Sequence, residues 1–283
     1  MKLCRFSRNQ SIRIGKVVGD NVVDLSQVTG PQASMRQLLE RLPDLRATLE
    51  DVSTPVFPLA DVMLLAPIDD PQKFLAIGMN YLAHANEAAA AGIPVPISQL
   101  WFNKQVSCIT GPFDPIELPR VSDKLDYEAE LGFVIGQRCH DVPENEALNA
   151  VAGYFVCNDI SVRDWQIRSP TFTLGKSFDT HGPIGPWITT ADEIPDPHAL
   201  TLHLSVNGEE RQRSSTGDMI YNIAQQIAYL STVMTLMPGD IIATGTPSGV
   251  GIATGNFLKD GDVVMVEVDG LGMISNRVVA EAL

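Results

Sequence analysis

No stretch of this sequence approaches the ~18 consecutive apolar residues of a membrane-crossing helix, so no membrane partner is expected. Basic charge is also scarce. Lys and Arg number 20 against 34 Asp and Glu in 283 residues, a formal net charge of −14. Binding to nucleic acid needs a basic footprint for the phosphates, and that class of partner is excluded. A small anionic ligand would be repelled at long range, so a local cation cluster or a metal must capture it. The four cysteines, Cys4, Cys108, Cys139 and Cys157, are widely spread and form no C-x-x-C pair. That spacing fits reduced, buried thiols better than disulfides or a zinc site. Met1 to Phe6 has no apolar stretch behind its charges, unlike a secretory signal, and a cytoplasmic location is expected.

What is present is an ordinary globular composition, 45% hydrophobic and 19% charged, which leaves no room for extensive disorder. Arg13 to Gly19 and Val22 to Leu25 flank a Gly19-Asp20-Asn21 turn and read as a hairpin. Ser34 to Leu42 has a helical apolar period with Ser34 as N-cap. Pro55, Pro58 and Pro67 then punctuate a boundary between about 52 and 72, dividing a small α+β unit (1–65) from a larger one (70–283). From Phe74 onward, short strands alternate with Gly/Pro turns. Val151–Cys157, Ile241–Thr244, Val263–Val268 and Met273–Val279 read as strands, the last two joined by a hairpin turn at Asp269 to Gly272. Two helices stand out: Tyr81–Ala91, capped by Asn80 and stopped at Gly92, and Tyr221–Leu236. The expected class is β-rich α+β, not a βαβ alternation.

The segment from Asp126 to Ile135 is the most informative. Side chains two apart on a strand share a face about 6.5–7 Å apart. Tyr127, Ala129, Leu131, Phe133 and Ile135 then form a core face, and Asp126, Glu128 and Glu130 fall on the other. Such carboxylates repel one another unless a cation sits between them, and carboxylates suit Mg²⁺, Mn²⁺ or Ca²⁺. An exposed acidic strand face would satisfy the same pattern. The apolar Val151–Cys157 strand ends in Asn158-Asp159, followed by a loop carrying Arg163 and Gln166, a common way to present a site; Asp159 as a mere turn cap is the alternative.

Together these segments resemble the fumarylacetoacetate hydrolase family over roughly Phe74 to Val279. The matching pieces are Gly78-Met79-Asn80-Tyr81 with His84 and Glu87, Asp126 to Leu131, Gly153-Tyr154, Asp159, Ser161, Arg163-Asp164 and Gln166. Lys176 to Asp179, Gly182 to Trp187 and Gly245 to Val250 complete them. The resemblance implies a mixed β-roll or sandwich core, a homodimer, and a Mg²⁺ or Mn²⁺ held by Glu128, Glu130 and Asp159. It further implies a water-activating His84–Glu87 pair on a closing segment.

Three protein oxygens leave about three positions open on an octahedral ion. A 2-oxo acid fills two of these with its carboxylate and keto oxygens. This suits hydrolysis of the C–C bond in a 2,4-dioxo acid, of the acylpyruvate type or a 2,4-dioxo-3-deoxy sugar acid, to pyruvate or a related 2-oxo acid plus a carboxylic acid. His84 and Glu87, three apart on a helix, share a face as base and orienting carboxylate. Lys176 is expected to stabilise charge near the metal. Lys104, Arg163, Gln166 and Thr246 are expected to grip substrate oxygens. His140, His181, His198 and His203 fit no metal spacing and read as structural or surface residues. Oxaloacetate-type decarboxylation and isomerisation of unsaturated 2-oxo dicarboxylates use the same head group. A structural Ca²⁺-binding module is the non-enzymatic alternative.

Overall fold

Side-chain alternation decides the centre of the fold. In the computed structural model, which describes all residues except 31, 32, 91, 93 and 283, the strands Ala129–Ile135 and Val151–Asn158 are buried along their whole length. They pair antiparallel from Ala129↔Asn158 to Ile135↔Val151. Leu131, Phe133, Ile135 and Val156 belong to one apolar core, Val134, Phe155 and Cys157 to another. A strand with a core on each face has no solvent side, so the acidic face of the first is not an exposed one.

These two strands sit inside a twelve-stranded mixed sheet. Its main path runs Val56–Pro58, Asn21–Asp24, Ser11–Val18, Lys2–Arg8, Gly182–Thr190, Val151–Asn158, Ala129–Ile135, Ile241–Ala243, Phe74–Gly78, Leu100–Lys104. A second sheet of five strands follows the order Glu209–Ser215, Thr201–Val206, Val263–Val268, Gly272–Ala280, Ile116–Leu118. Leu202, Val266 and Ile274 of this sheet share the first core with Leu131 and Phe133 of the large one. The architecture is the expected β-rich mixed sandwich. Both expected hairpins are present, Val18 facing Asn21 and Val268 facing Gly272 across their turns.

The N-terminal strands do not close on themselves. Lys2 and Leu3 pair with Thr189 and Ile188, and Leu3, Ile14, Leu25 and Met35 share a core with Phe74, Val134 and Ile241. Ser34 caps the Met35–Glu40 helix as expected, in a reciprocal box with Gln37. The later helix is Ile223–Val233, shorter at both ends than its apolar period suggests: Asn222 and Gln225 form a capping box that fixes its start, and Met234 is already extended. The helix after Asn80 spans Leu82–Ala90; its expected last residue, Ala91, and Ile93 beyond it lie outside the described residues. Asn80 is not its cap. Its amide donates to the carbonyls of Tyr221 (3.0 Å) and Thr244 (2.7 Å) and accepts from Tyr221 N–H (2.8 Å), tying the start of this helix to the sheet. All four cysteines are free and buried. Among the described residues no helix is long and apolar enough to cross a membrane.

Candidate active site

The register that pairs Ala129 with Asn158 places Glu128 beside Asp159 at the end of the strand pair. The sequence pattern reads as one strand from Asp126, but the ladder breaks at Tyr127 and Glu128. Leu125–Asp126 pairs instead with Ser161–Val162. The break is stabilised on both sides: Asn158 Oδ1 accepts from Glu128 N–H at 3.0 Å, and Asp159 N–H donates to the Glu128 carbonyl at 3.0 Å. Glu128, Glu130 and Asp159 converge here, all buried, with one carboxylate oxygen from each within 4.8 Å of the others.

The charges around this cluster are unevenly matched. Lys176 Nζ lies 2.6 Å from Glu128 Oε2 and 2.7 Å from Asp159 Oδ2. Lys104 Nζ lies 2.7 Å from Asp159 Oδ1. Arg163 Nη1 lies 2.6 Å from Glu128 Oε1, and its Nε 2.7 Å from Asp126 Oδ2. Burial alone would raise the pKa of Glu128, but Lys176 and Arg163 hold it well below the usual carboxylate range. Among the described residues Glu130 has no cation partner; it accepts the Gly245 N–H at 2.8 Å. Burial, with Asp159 and Glu128 close by, pushes its pKa well above the ordinary value. Four carboxylates therefore face three cations, and Glu130 is the acid left uncompensated. That donor set fits a hard divalent ion, which removes the penalty of ionising Glu130 and takes oxygen ligands.

Glu128 and Glu130 open onto a cavity of about 310 Å³. It is lined by His84 and Glu87 from the Leu82–Ala90 helix, by Arg163, Gln166 and Lys176, and by Thr246 of the Gly-rich loop. His84 Nδ1 lies 3.1 Å from Glu87 Oε2. A carboxylate only accepts, so Nδ1 carries a proton, and in the neutral imidazole the lone pair is then on Nε2. Glu87 Oε1 accepts the Gly249 N–H at 3.3 Å, pinning the helix to the Gly-rich loop. The His84 contact is the main reason the Glu87 carboxyl is held below its ordinary pKa.

Nine of the ten residues singled out from the sequence meet around this cavity or its carboxylate floor. Lys104 does not line it. It lies behind Asp159, enclosed by that carboxylate and the carbonyls of Ile160 and Lys176, so it orients a candidate ligand instead of gripping substrate. Arg163 is more committed than expected. Asp126 and Glu128 hold two of its nitrogens, Nη1 also reaches Gln166 Oε1 at 3.0 Å, and only Nη2 is buried without a partner. Thr246 lines the cavity while its hydroxyl accepts from Gln212 Nε2 at 2.9 Å. Gln212 is a positioning residue that sequence reasoning missed, and Asn158 and Asn80 were named without this role. A side-chain amide carries no local sign of its partner, and only the fold shows that each of these meets backbone at or beside the site. The remaining histidines are where expected: His181 is buried on the Glu117 carbonyl, and His198 accepts the N–H of Ile223.

Residues 73–279 match the family model described as fumarylacetoacetate (FAA) hydrolase C-terminal. The chain belongs to the fumarylacetoacetate hydrolase family. It is 42% identical over 291 aligned residues to the mitochondrial oxaloacetate tautomerase fahd2 of Xenopus laevis, covering 99% of this chain and 90% of that protein. Its fold superposes on maleylpyruvate hydrolase from Sphingobium sp. SYK-6, solved with manganese(II) and pyruvate, with a TM-score of 0.86, 36% identity and full coverage of both chains. The 5-carboxymethyl-2-hydroxymuconate delta-isomerase of Mycobacterium smegmatis matches with a TM-score of 0.81 and 35% identity over 99% of this chain and all of that one. Family membership makes the chain an enzyme. Carboxylates that open onto a cavity, instead of closing around an ion, agree with that and not with a purely structural calcium module.

Proposed function

We propose that the protein hydrolyses the C–C bond of a 2,4-dioxo acid, giving pyruvate or a related 2-oxo acid and a carboxylic acid. The observation that carries this reading is the pairing of two groups across one cavity: the Glu128–Glu130–Asp159 cluster, and the His84–Glu87 dyad with its free imidazole nitrogen. Mg²⁺ or Mn²⁺ held by the three carboxylates would supply Lewis-acid stabilisation of charge on the 2-oxo group. The protein supplies the rest. His84 Nε2 takes a proton from the attacking water, and Glu87 stabilises the imidazolium that results. Lys176, enclosed beside Glu128 and Asp159, holds fixed positive charge where negative charge develops. Arg163 Nη2 and Gln166 offer donors to the substrate carboxylate. Ile77, Glu130 and Lys176 on the cavity lining are buried, and charges beside them are screened less than in water.

A second reading rests on the full-length likeness to an oxaloacetate tautomerase and on the likeness to an isomerase. Tautomerisation, isomerisation or decarboxylation of a 2-oxo dicarboxylate uses the same head-group site but needs no attacking water. Proton NMR of the purified protein with Mg²⁺ or Mn²⁺, against metal-free controls, separates the readings. Pyruvate and the matching acid from acetylpyruvate, only with metal present, are expected. Turnover of oxaloacetate alone would overturn the hydrolase reading.

Residues 70–283 are taken as the unit that carries the chemistry, since every cavity residue follows Phe74, with 1–65 stitched to its sheet edge. A homodimer in the cytoplasm completes the reading. Reduced, buried thiols support that compartment, and the exposed apolar side chains Met63, Phe113 and Met273 around one surface hollow support a dimer.

A further inference from the structure

We infer that the substituent beyond the 2-oxo acid head is uncharged and apolar, an alkyl or aryl acyl group and not a second carboxylate. This rests on the hydrolase reading and names its substrate class. Arg163 and Lys176 are the Lys and Arg side chains lining the cavity among the described residues; both are paired with Glu128 and its neighbours, and the spare Arg163 Nη2 is the donor assigned above to the head carboxylate. The rest of the lining is largely apolar: Ile77, Leu100, Phe172, Val250 and Ile252 contribute to it, with the Phe102 ring set 4.8 Å from the Lys176 ammonium. The polar side chains that line the cavity besides the floor are the uncharged Gln166 and Thr246 and the His84–Glu87 pair, whose carboxylate would repel a second one. Arg168, next along the chain from the lining residue Ile167, is turned away: its guanidinium stacks on Trp165 at 3.7 Å and faces Asp164 at 3.9 Å.

The mouth is apolar too. Ile167 and Ile252 line the cavity yet stay 77% and 46% exposed. Phe172 holds a left-handed backbone, φ 60°, where glycine would be easier, while its ring packs edge-on to Phe102 at 5.9 Å. A cavity of about 310 Å³ has room for roughly ten water-sized groups, more than the six heavy atoms of pyruvate. A short chain fits inside and a longer one continues along the apolar rim. A distal carboxylate in the same place would be desolvated with no cation to meet it.

The reaction implied is R–CO–CH₂–CO–COO⁻ + H₂O → R–COOH + CH₃–CO–COO⁻. The water oxygen bonds to the acyl carbon and the bond from that carbon to the CH₂ breaks. The electron pair stays on the CH₂ carbon, which then takes the proton. Two matched series test the specificity with the intact Mn²⁺-loaded protein: acylpyruvates with R = methyl, propyl and pentyl, and the same chains ending in a carboxylate. We expect kcat/KM to rise about fourfold per methylene across the first series. Each carboxylate-ended partner should be slower by on the order of a hundredfold. In Ile167→Arg, which adds a cation at the exposed mouth, the preference should narrow at least about tenfold. Equal or faster turnover of the carboxylate-ended chains overturns the inference and leaves the hydrolase reading standing.

Absence of any turnover removes the hydrolase reading, and the cavity is then tested by binding. 2-Oxooctanoate should raise the melting temperature of the Mn²⁺-loaded protein more than 2-oxosuberate, which has the same chain length. The reverse order overturns the inference.

Discussion

The ammonium of Lys176 stands 2.6 Å from Glu128 Oε2, inside the cluster proposed to hold a metal, and the same nitrogen reaches Asp159 at 2.7 Å. A buried lysine here does two things. It compensates part of the carboxylate charge before a metal binds, and it keeps positive charge beside the substrate head afterwards. Lys176→Met separates the two. Without metal the variant should lose about 3–5 kcal/mol of stability, because two buried carboxylates lose a partner. Added Mn²⁺ should then raise its melting temperature by a larger increment than in the parent protein, since the ion replaces the lost charge. Even when saturated with Mn²⁺, kcat should stay down by at least about a hundredfold. Differential scanning calorimetry with and without Mn²⁺, beside saturating kinetics, reads both. A smaller Mn²⁺ increment in the variant would show that Lys176 helps hold the metal instead.

The dyad makes a graded prediction. His84→Ala removes the base and should lower hydrolysis by about 10²–10⁴. Glu87→Gln keeps the size and the contact to Gly249 N–H but removes the charge that steadies the imidazolium, so a smaller loss is expected, roughly tenfold to a hundredfold. If His84→Ala leaves acylpyruvate hydrolysis intact, the base lies elsewhere. If it abolishes hydrolysis but spares oxaloacetate turnover, the head-group site runs two chemistries and only one uses the dyad.

The core was legible where periodicity is strict. Alternation from Tyr127 to Ile135 identifies the core-facing side chains, and the Gly19-Asp20-Asn21 and Asp269 to Gly272 turns identify their hairpins. The three carboxylates were legible as types at a spacing. Their burial was not, because a two-residue period is the same for a strand with a wet face and one with a second core behind it. The state of the cations was also hidden. Arg163 and Lys104 read as free charges in a local sequence, but their partners Asp126 and Asp159 are brought to them by the break after Asp126 and by the Ala129↔Asn158 register. Asn80 shows the same limit. As a residue before a helix it reads as a cap, yet its partners Tyr221 and Thr244 lie more than a hundred positions away.

His181 supplies a pH dependence of stability. Burial lowers its pKa from 6.5 to about 4, although its contact to the Glu117 carbonyl at 2.8 Å works the other way. That carbonyl can only accept, so Nε2 carries the proton, and Nδ1 is buried without a partner. The folded protein therefore resists protonation that the unfolded chain accepts between about pH 6.5 and pH 4. The unfolded state binds more protons in this window, so stability falls as pH drops through it. The contribution is about 2 kcal/mol at pH 5 and about 3 kcal/mol once both states are protonated. Urea unfolding at pH 7.5 and pH 5 should show a loss in the parent protein that exceeds that of His181→Gln by about 2 kcal/mol. Equal losses would mean that His181 does not resist protonation.

Gly245 tests how far the backbone builds the cluster. Its φ is 96°, a conformation that side-chain-bearing residues rarely adopt, and an added Cβ would stand 2.7 Å from Asn80 Cβ and 3.1 Å from the Ile77 carbonyl. Its N–H is also the donor to Glu130 Oε2, the one candidate ligand without a cation partner. Relieving the Gly245→Ala clash requires the loop to move away from Asn80, and that movement withdraws the N–H from Glu130. Stability should fall by about 1–3 kcal/mol from backbone strain alone. Mn²⁺ affinity, followed by isothermal titration on the folded variant, should fall about tenfold or more, because Glu130 is then held less firmly. Asn80→Ala provides the control. It loses the hydrogen bonds to Tyr221 and Thr244 but leaves the Gly245 N–H in place, so it should cost stability with a smaller effect on Mn²⁺ affinity. If both variants weaken Mn²⁺ binding equally, general loosening of the loop accounts for the effect, and the Gly245–Glu130 contact has no separate part in holding the ligand.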